Sequence, residues 1–464
     1  MITKNTAIKV LNVALETGGD FAEIFLEESK YNVIRTENGK IQPLAPSLEY
    51  GAGIRILNGL QSVYGYTNDI SLKGLTSLAR SLAMSFDGER KISVDKISKV
   101  RTYSKHKIEN SLDNIETEKV AGLLKEADIT MKEYSPQIVR TQTQLLTHIR
   151  KIAIFNSEGK MITDEQQRIR VFLFAIAASP TAFEQGYYGP GAYSGLEFLD
   201  TIDLKKEAIN TAKQAVSKLT AKDCPSGQMP VVIGNGFGGV IFHEACGHAL
   251  EASSVSKGLS VFSGKQGEQI ANSCLTAIDD GTLVNEWGSN TIDDEGNKTE
   301  KTVLIKNGVL VNYLVDQFNG RRMNAKQNGA SRRQSYAYEP TSRMSNTYIA
   351  AGKHTPEEII SSVELGLYAK SLGGGSVNPT TGDFNFACAE AYIIRDGKVC
   401  ELVKGATLIG NGADIIKNID MVGNDLKLAQ GMCGAASGSI PVNVGQPTIR
   451  VSNITVGGQG GKLQ

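Results

Sequence analysis

The stretch His243-Glu244-Ala245-Cys246-Gly247-His248 places two of the chain's five histidines five residues apart, with a carboxylate directly after the first. That spacing constrains local geometry severely. At 3.6 residues per turn, side chains four apart lie about 40° apart around a helix axis, and side chains five apart about 140°. Two imidazoles in this register can share one metal ion only where the helix is widened by a bulge or ends near the second histidine. Gly247 lowers the cost of either distortion. Glu244 would then stand beside a metal-bound water, as in the H-E-x-x-H zinc hydrolases, whose motif is one residue shorter.

The residues leading into this stretch support a built site. Met229-Pro230-Val231-Val232-Ile233 is an apolar, β-branched run that reads as a buried strand. It passes through Gly234-Asn235-Gly236-Phe237-Gly238-Gly239 to the first histidine. These glycines do not follow G-x-G-x-x-G and no acidic ribose partner is evident, which argues against a dinucleotide loop.

Lys+Arg and Asp+Glu both total 49. No charge excess points to nucleic acid or a membrane surface, and no run approaches the roughly 18 apolar residues of a membrane-spanning helix. The first twenty positions carry charges and lack an apolar core with a cleavage site, so no signal peptide is expected. Six scattered cysteines fit free thiols in a reducing cytoplasm, with one or two available to a metal.

With 464 residues, about two to four domains are expected. Ile8, Leu11 and Leu15 share one helical face, and Leu72, Leu75, Ala79 and Leu82 another. Asn38-Gly39, Asn58-Gly59, Asn307-Gly308 and Asp396-Gly397 read as hairpin turns. Asp113 with Glu116 resembles a capping box opening a helix through Leu123, Leu124 and Ala127. Residues 137–178 are strand-like with a turn at Ser157-Glu158-Gly159, and a Gly/Tyr loop is expected at 186–191. A helix follows with Leu204, Ala208, Ala212, Ala215 and Leu219 on one face. Gly373-Gly374-Gly375 reads as the start of a long loop, and residues 457–461 as a disordered end.

Helices grouped among antiparallel strands imply an α+β fold. The breaker at Cys224-Pro225-Ser226-Gly227 places the main boundary there. Residues 1–223 are then an N-terminal helix-and-antiparallel-sheet domain, with a subdomain break near 110. Residues 224–464 form a β-rich C-terminal domain carrying the metal motif.

Two histidines leave a catalytic zinc one protein ligand short, since such sites carry three plus a water. Three residues qualify. Cys246 lies on a face neighbouring His243, although a small packed side chain is the simpler reading. Glu251 could bind or accept an imidazole N–H. Cys433, in Gly431-Met432-Cys433-Gly434, reads as an accessible loop cysteine. Spacing does not choose among them.

The stretch His243–Glu251 resembles the TldD/PmbA family of metalloproteases, on the active TldD side. The likeness extends to Ile292-Asp293-Asp294-Glu295-Gly296, to Tyr336 with Pro340-Thr341-Ser342-Arg343-Met344-Ser345-Asn346, and to Gly405-Ala406-Thr407-Leu408-Ile409-Gly410-Asn411. It closes with Cys433-Gly434 and Pro441-Val442-Asn443-Val444-Gly445-Gln446-Pro447. The resemblance implies a metal, Zn2+, held by His243, His248 and Cys433. It also implies a dimer, of identical chains or with a paralogous PmbA-type subunit, enclosing the sites in a cavity. One departure stands out: the family pattern continues after the late Cys-Gly with a lysine and a glutamine, where this chain has Ala435-Ala436-Ser437-Gly438.

The implied function is hydrolysis of short or unfolded peptides. Zinc would activate a water, and Glu244 would take its proton and pass it to the leaving amine. Tyr336 and Arg343 are the candidate substrate-binding donors for the developing oxyanion. A thiolate ligand should make the zinc a milder Lewis acid. The competing readings are a non-catalytic scaffold subunit and a purely structural zinc site, the latter disfavoured by the idle carboxylate of Glu244.

Overall fold

A computed structural model describes residues 2–42, 45–378 and 381–463. The chain is α+β. Its first half builds one nine-stranded sheet, mostly antiparallel, around three long strands, Phe21–Glu37, Ile138–Asn156 and Lys160–Ala178. The first two pair in continuous register from Glu23↔Asn156 to Glu37↔Gln142, so strands on both sides of residue 110 share one sheet.

The two-residue period of a strand gives this sheet two different faces. On one face, Ala22, Ile24, Leu26, Ala153 and Phe155 are covered by the helices Lys4–Ala14 and Leu72–Ala83. Further along it, Ile34, Leu145, Ile149, Val171 and Leu173 are covered by Thr117–Glu133 and Leu204–Lys218. The opposite face packs on the second half of the chain: Phe25, Ile152, Ile154 and Ile162 gather around Ile292.

A buried ionic seam surrounds that contact. Arg55 lies 3.1 Å from Glu23 and 2.7 Å from Glu295, and Arg333 lies 2.6 Å from Glu23. Arg150 bridges Glu27 at 3.1 Å and Asp294 at 2.9 Å. Four carboxylates thus face three guanidiniums. Burial and the neighbouring carboxylates outweigh Arg55 and lift Glu295 to about 7.

Among the described residues, the second half holds two large sheets and a two-stranded one, Ser331–Arg332 with Thr341–Ser342. In an eight-stranded sheet, Asp383–Arg395 pairs with Leu365–Val377 and with Thr407–Asn411, and the path through Gly227–Ile233 and Ile449–Gly457 closes a five-stranded barrel. A six-stranded sheet runs from Val309–Leu310 to an edge formed by Lys427–Ala435, which pairs with Gly438–Gln446. The largest apolar core lies between these layers.

The Asn-Gly and Asp-Gly turns form as expected. Both residues of Asn38-Gly39, Asn307-Gly308 and Asp396-Gly397 have positive φ, the backbone a type I′ hairpin turn requires. Four expectations fail. Ser111, not Asp113, caps a short 3-10 turn, Asp113 pairs with Lys30 at 2.8 Å, and the long helix starts at Thr117 without a side-chain cap. Phe183–Tyr188 is a strand on the sheet edge rather than a loop, in keeping with its aromatic residues. Gly373-Gly374-Gly375 lies inside the strand Leu365–Val377, where its pairing is irregular. The glycine-rich end is tied down, with Gly460 N–H donating to the Cys224 carbonyl and Ser226 N–H to that of Gly461.

Glu23→Ala would leave Arg55 and Arg333 without their shared buried counter-charge. The expected loss is about 3–5 kcal/mol of unfolding free energy in urea titration; a loss within the range of surface substitutions would show the seam to be dispensable.

Candidate metal centre

The barrel strand Gly227–Ile233 leads through a 3-10 turn, Gly236–Gly239, into one helical turn, Val240–Phe242. The next five residues, His243–Gly247, form a π-helix, and His248–Leu250 a closing 3-10 turn. The five-residue spacing calls for a bulge or a helix end near His248, and both are present. The wider turn rotates the second histidine back toward the first, and the two rings stand edge to face with centroids 5.3 Å apart. Gly247 lies against Met344, where a Cβ would overlap the thioether.

Cys433 meets the histidines from the edge strand Lys427–Ala435. Its Sγ lies 3.2 Å from His243 Nε2 and 3.3 Å from His248 Nε2. It is not in an exposed loop: the side chain is buried with Ile440 and Val442 of the hairpin. Donor atoms of His243, His248 and Cys433 all fall within 4.8 Å of one another. In a tetrahedral zinc site with ordinary Zn–N and Zn–S lengths, sulfur and nitrogen stand about 3.5 Å apart. The triad therefore fits such an ion.

The electrostatics fit as well. Burial would raise the Cys433 thiol, but the charge and hydrogen bonds of the two imidazoles outweigh it and bring it to about 3. Burial would lower His248, and Glu251 with Cys433 overrides it, holding the imidazole well above its usual value. Both shifts favour the charged partners, a thiolate beside an imidazolium, and a metal bound by the same donors would compete with that proton.

Glu244 is part exposed, 3.7 Å from His248 Nε2. It lines a cleft of about 20 Å³ together with His248, Ala249, Val261, Asn411 and Ala413. That is room for one water and little more.

The other two candidate ligands lie elsewhere. Cys246 is fully buried, its Sγ 3.3 Å from the Gly412 carbonyl. Glu251 sits behind His248, with Oε2 3.2 Å from Nδ1, the carboxylate–imidazole arrangement that orients a ligand ring. His243 Nδ1 has no such partner among the described residues.

The two expected oxyanion donors lie in different surroundings. Tyr336 docks on the N-terminal sheet, its ring against Gly51 and edge to face with Tyr66, while its carbonyl accepts the Tyr64 hydroxyl. Gly51 and Gly53, two apart on one strand, leave the hollow that this segment fills. Arg343 is fully enclosed, with Nη2 donating to the Cys433 carbonyl at 2.6 Å and Nη1 to Ser437 Oγ and the Gly438 carbonyl, both at 2.9 Å. It lies behind the triad, closed off from solvent. Ser437 lies in the turn of this hairpin, and no spacing signal in the sequence gives it this contact.

A two-histidine, one-cysteine triad with an adjacent carboxylate, set between a β-barrel and a sheet edge, defines a metalloenzyme-like centre. Models of the PmbA/TldA metallopeptidase family match residues 22–85 as domain 1, 110–222 as the central domain and 226–458 as the C-terminal domain. The chain is 35% identical to a metalloprotease TldD homolog of Haemophilus influenzae, covering 98% of this chain and 97% of that one. It is 31% identical to a metalloprotease of Methanothermobacter thermautotrophicus, over 96% and 97%. In fold it matches TldE from Thermococcus kodakarensis, with a TM-score of 0.75 at 18% identity over 94% and 97% of the two chains. The chain belongs to the TldD/PmbA family of metallopeptidases.

If the triad binds metal, Cys433→Ser should weaken metal retention sharply and Cys246→Ala should leave it intact. Elemental analysis after dialysis reads this out; the reverse pattern would overturn the ligand set.

Proposed function

We propose that this chain is a zinc-dependent peptidase acting on short or unfolded peptides, with His243, His248 and Cys433 as ligands and Glu244 as general base. The observation that carries the reading is the convergence of the three donors beside a part-exposed carboxylate. Zn2+, when bound, supplies Lewis acidity and draws the pKa of a water toward neutrality. Glu244 borders the water-sized cleft, so its carboxylate can take a proton there and return it to the leaving amine. Burial of Cys433 and the Glu251 contact keep two ligands in place without consuming Glu244.

Substrate would bind through its backbone. Lys427–Ala435 is the edge strand of its sheet and carries Cys433, so an extended peptide pairing there would pass the triad with little dependence on its side chains. The adjoining cleft is too small for a peptide, which favours a larger chamber completed by a second subunit, either an identical chain or a PmbA-type paralogue. A folded domain cannot offer its backbone this way without unfolding.

The chain is read as dividing into residues 1–223 and 224–464; the central and C-terminal family models, ending at 222 and starting at 226, support that division. A cytoplasmic location is proposed from the free cysteines. Among the described residues, no helix is long and apolar enough to cross a membrane. The alternative, a non-catalytic scaffold subunit, has no use for an intact triad with a free carboxylate beside it.

Glu244→Gln should retain zinc and fold while lowering hydrolysis of an unstructured peptide by about 10²–10⁴-fold. Loss of zinc in that variant would instead make Glu244 a ligand, and undiminished hydrolysis would remove it from the mechanism.

A further inference from the structure

His248 and Cys433 belong to elements that do not pair with each other: one ends the widened helical turn, the other lies in a sheet-edge hairpin. Their separation has to be fixed by something else. Arg343 lies where it can do so. Its Nη2 donates to the main-chain carbonyl of Cys433 itself, and its Nη1 holds Ser437 Oγ and the Gly438 carbonyl at the hairpin turn. On its other edge, Nε faces Glu251 Oε1 at 3.8 Å, and the second oxygen of Glu251 is 3.2 Å from His248 Nδ1. Neither Arg343 Nε nor Glu251 Oε1 has a hydrogen-bond partner among the described residues, so their mutual attraction is the chief hold on that edge.

The arginine is itself anchored. Arg343 N–H donates to the Ala330 carbonyl at 2.8 Å, and Ser342 N–H to Asp316 Oδ2 at 3.0 Å. Met344, the next residue, packs against Gly247 inside the motif. A rigid planar fork with donors on several edges can span hairpin and helix at once; an ammonium on a flexible stem cannot match that geometry.

We propose that Arg343 is a positioning residue for the metal centre. It sets the separation of Cys433 and His248, and Ser437 completes its grip on the hairpin. The proposal rests on the reading that the triad binds zinc.

The test compares wild type with Arg343→Gln, Arg343→Lys and Ser437→Ala. Zinc affinity is measured by chelator competition, the thiolate-to-metal absorption of the Co2+-loaded proteins by spectroscopy, and metal-free stability by thermal unfolding. Arg343→Gln should weaken zinc binding by about 10- to 100-fold and alter the cobalt–thiolate band. Arg343→Lys should recover part of the affinity. Ser437→Ala should lose less than Arg343→Gln and unfold like wild type. Wild-type affinity and an unchanged cobalt band in the arginine variants and Ser437→Ala would overturn the proposal, as would affinity losses that only follow lost stability. Should Arg343→Gln fail to fold, Arg343→Lys and Ser437→Ala decide on the same criteria. Failure of the wild-type chain to take up zinc at all is a separate outcome, which overturns the metal-centre reading and this proposal with it.

Discussion

One extra residue between two histidines governs the centre. At i and i+5 on a regular helix the two imidazoles diverge, and no rotamer brings both to one ion. The chain resolves this by widening the helix into a π-turn over His243–Gly247 and ending it at once in a 3-10 turn. A π-turn exchanges the usual backbone bonds for wider ones, here from His248 N–H to the His243 carbonyl, and persists only where its surroundings hold it. Here Met344 presses on Gly247 from one side and the helix Gly412–Asn418 packs its first residue against Ala245 from the other. The distortion is thus supported by packing from segments far apart in sequence.

That support depends in turn on the two halves of the chain staying together. The segment from Arg332 to Met344 serves both jobs. Arg333 enters the ionic seam under the N-terminal sheet and Tyr336 fills a hollow in it, while Arg343 reaches the back of the triad. Arg170 of the N-terminal sheet also donates to the Gln430 carbonyl, three residues before Cys433, at 3.1 Å. The first half of the chain contributes no donor to the triad, yet it braces the strand that carries one.

Much of this was legible in the residues. The need for a bulge or an early helix end followed from the spacing alone, and three of the Asn-Gly and Asp-Gly turns announced their hairpins because few other pairs tolerate two positive φ values. What spacing left open was the third ligand. Cys433 follows His248 by 185 residues and reaches it only through sheet pairing, so the family resemblance, not local pattern, singled it out. The glycines misled most. Gly373–Gly375 and the glycine-rich end read as loops, yet one lies within a strand and the other packs on the Cys224 segment. A missing Cβ serves close packing as readily as flexibility. For Tyr336 and Arg343, sequence shows that a phenol and a guanidinium exist, but not which way they face.

The central claim is that the helical bulge and the sheet edge deliver two nitrogens and one sulfur to a single ion. X-ray absorption at the zinc edge of the loaded protein tests it directly. The account predicts one sulfur at about 2.3 Å and two imidazole nitrogens at about 2.0 Å, with the remaining scatterer an oxygen or nitrogen. A first shell without sulfur, or with two sulfurs, would contradict it.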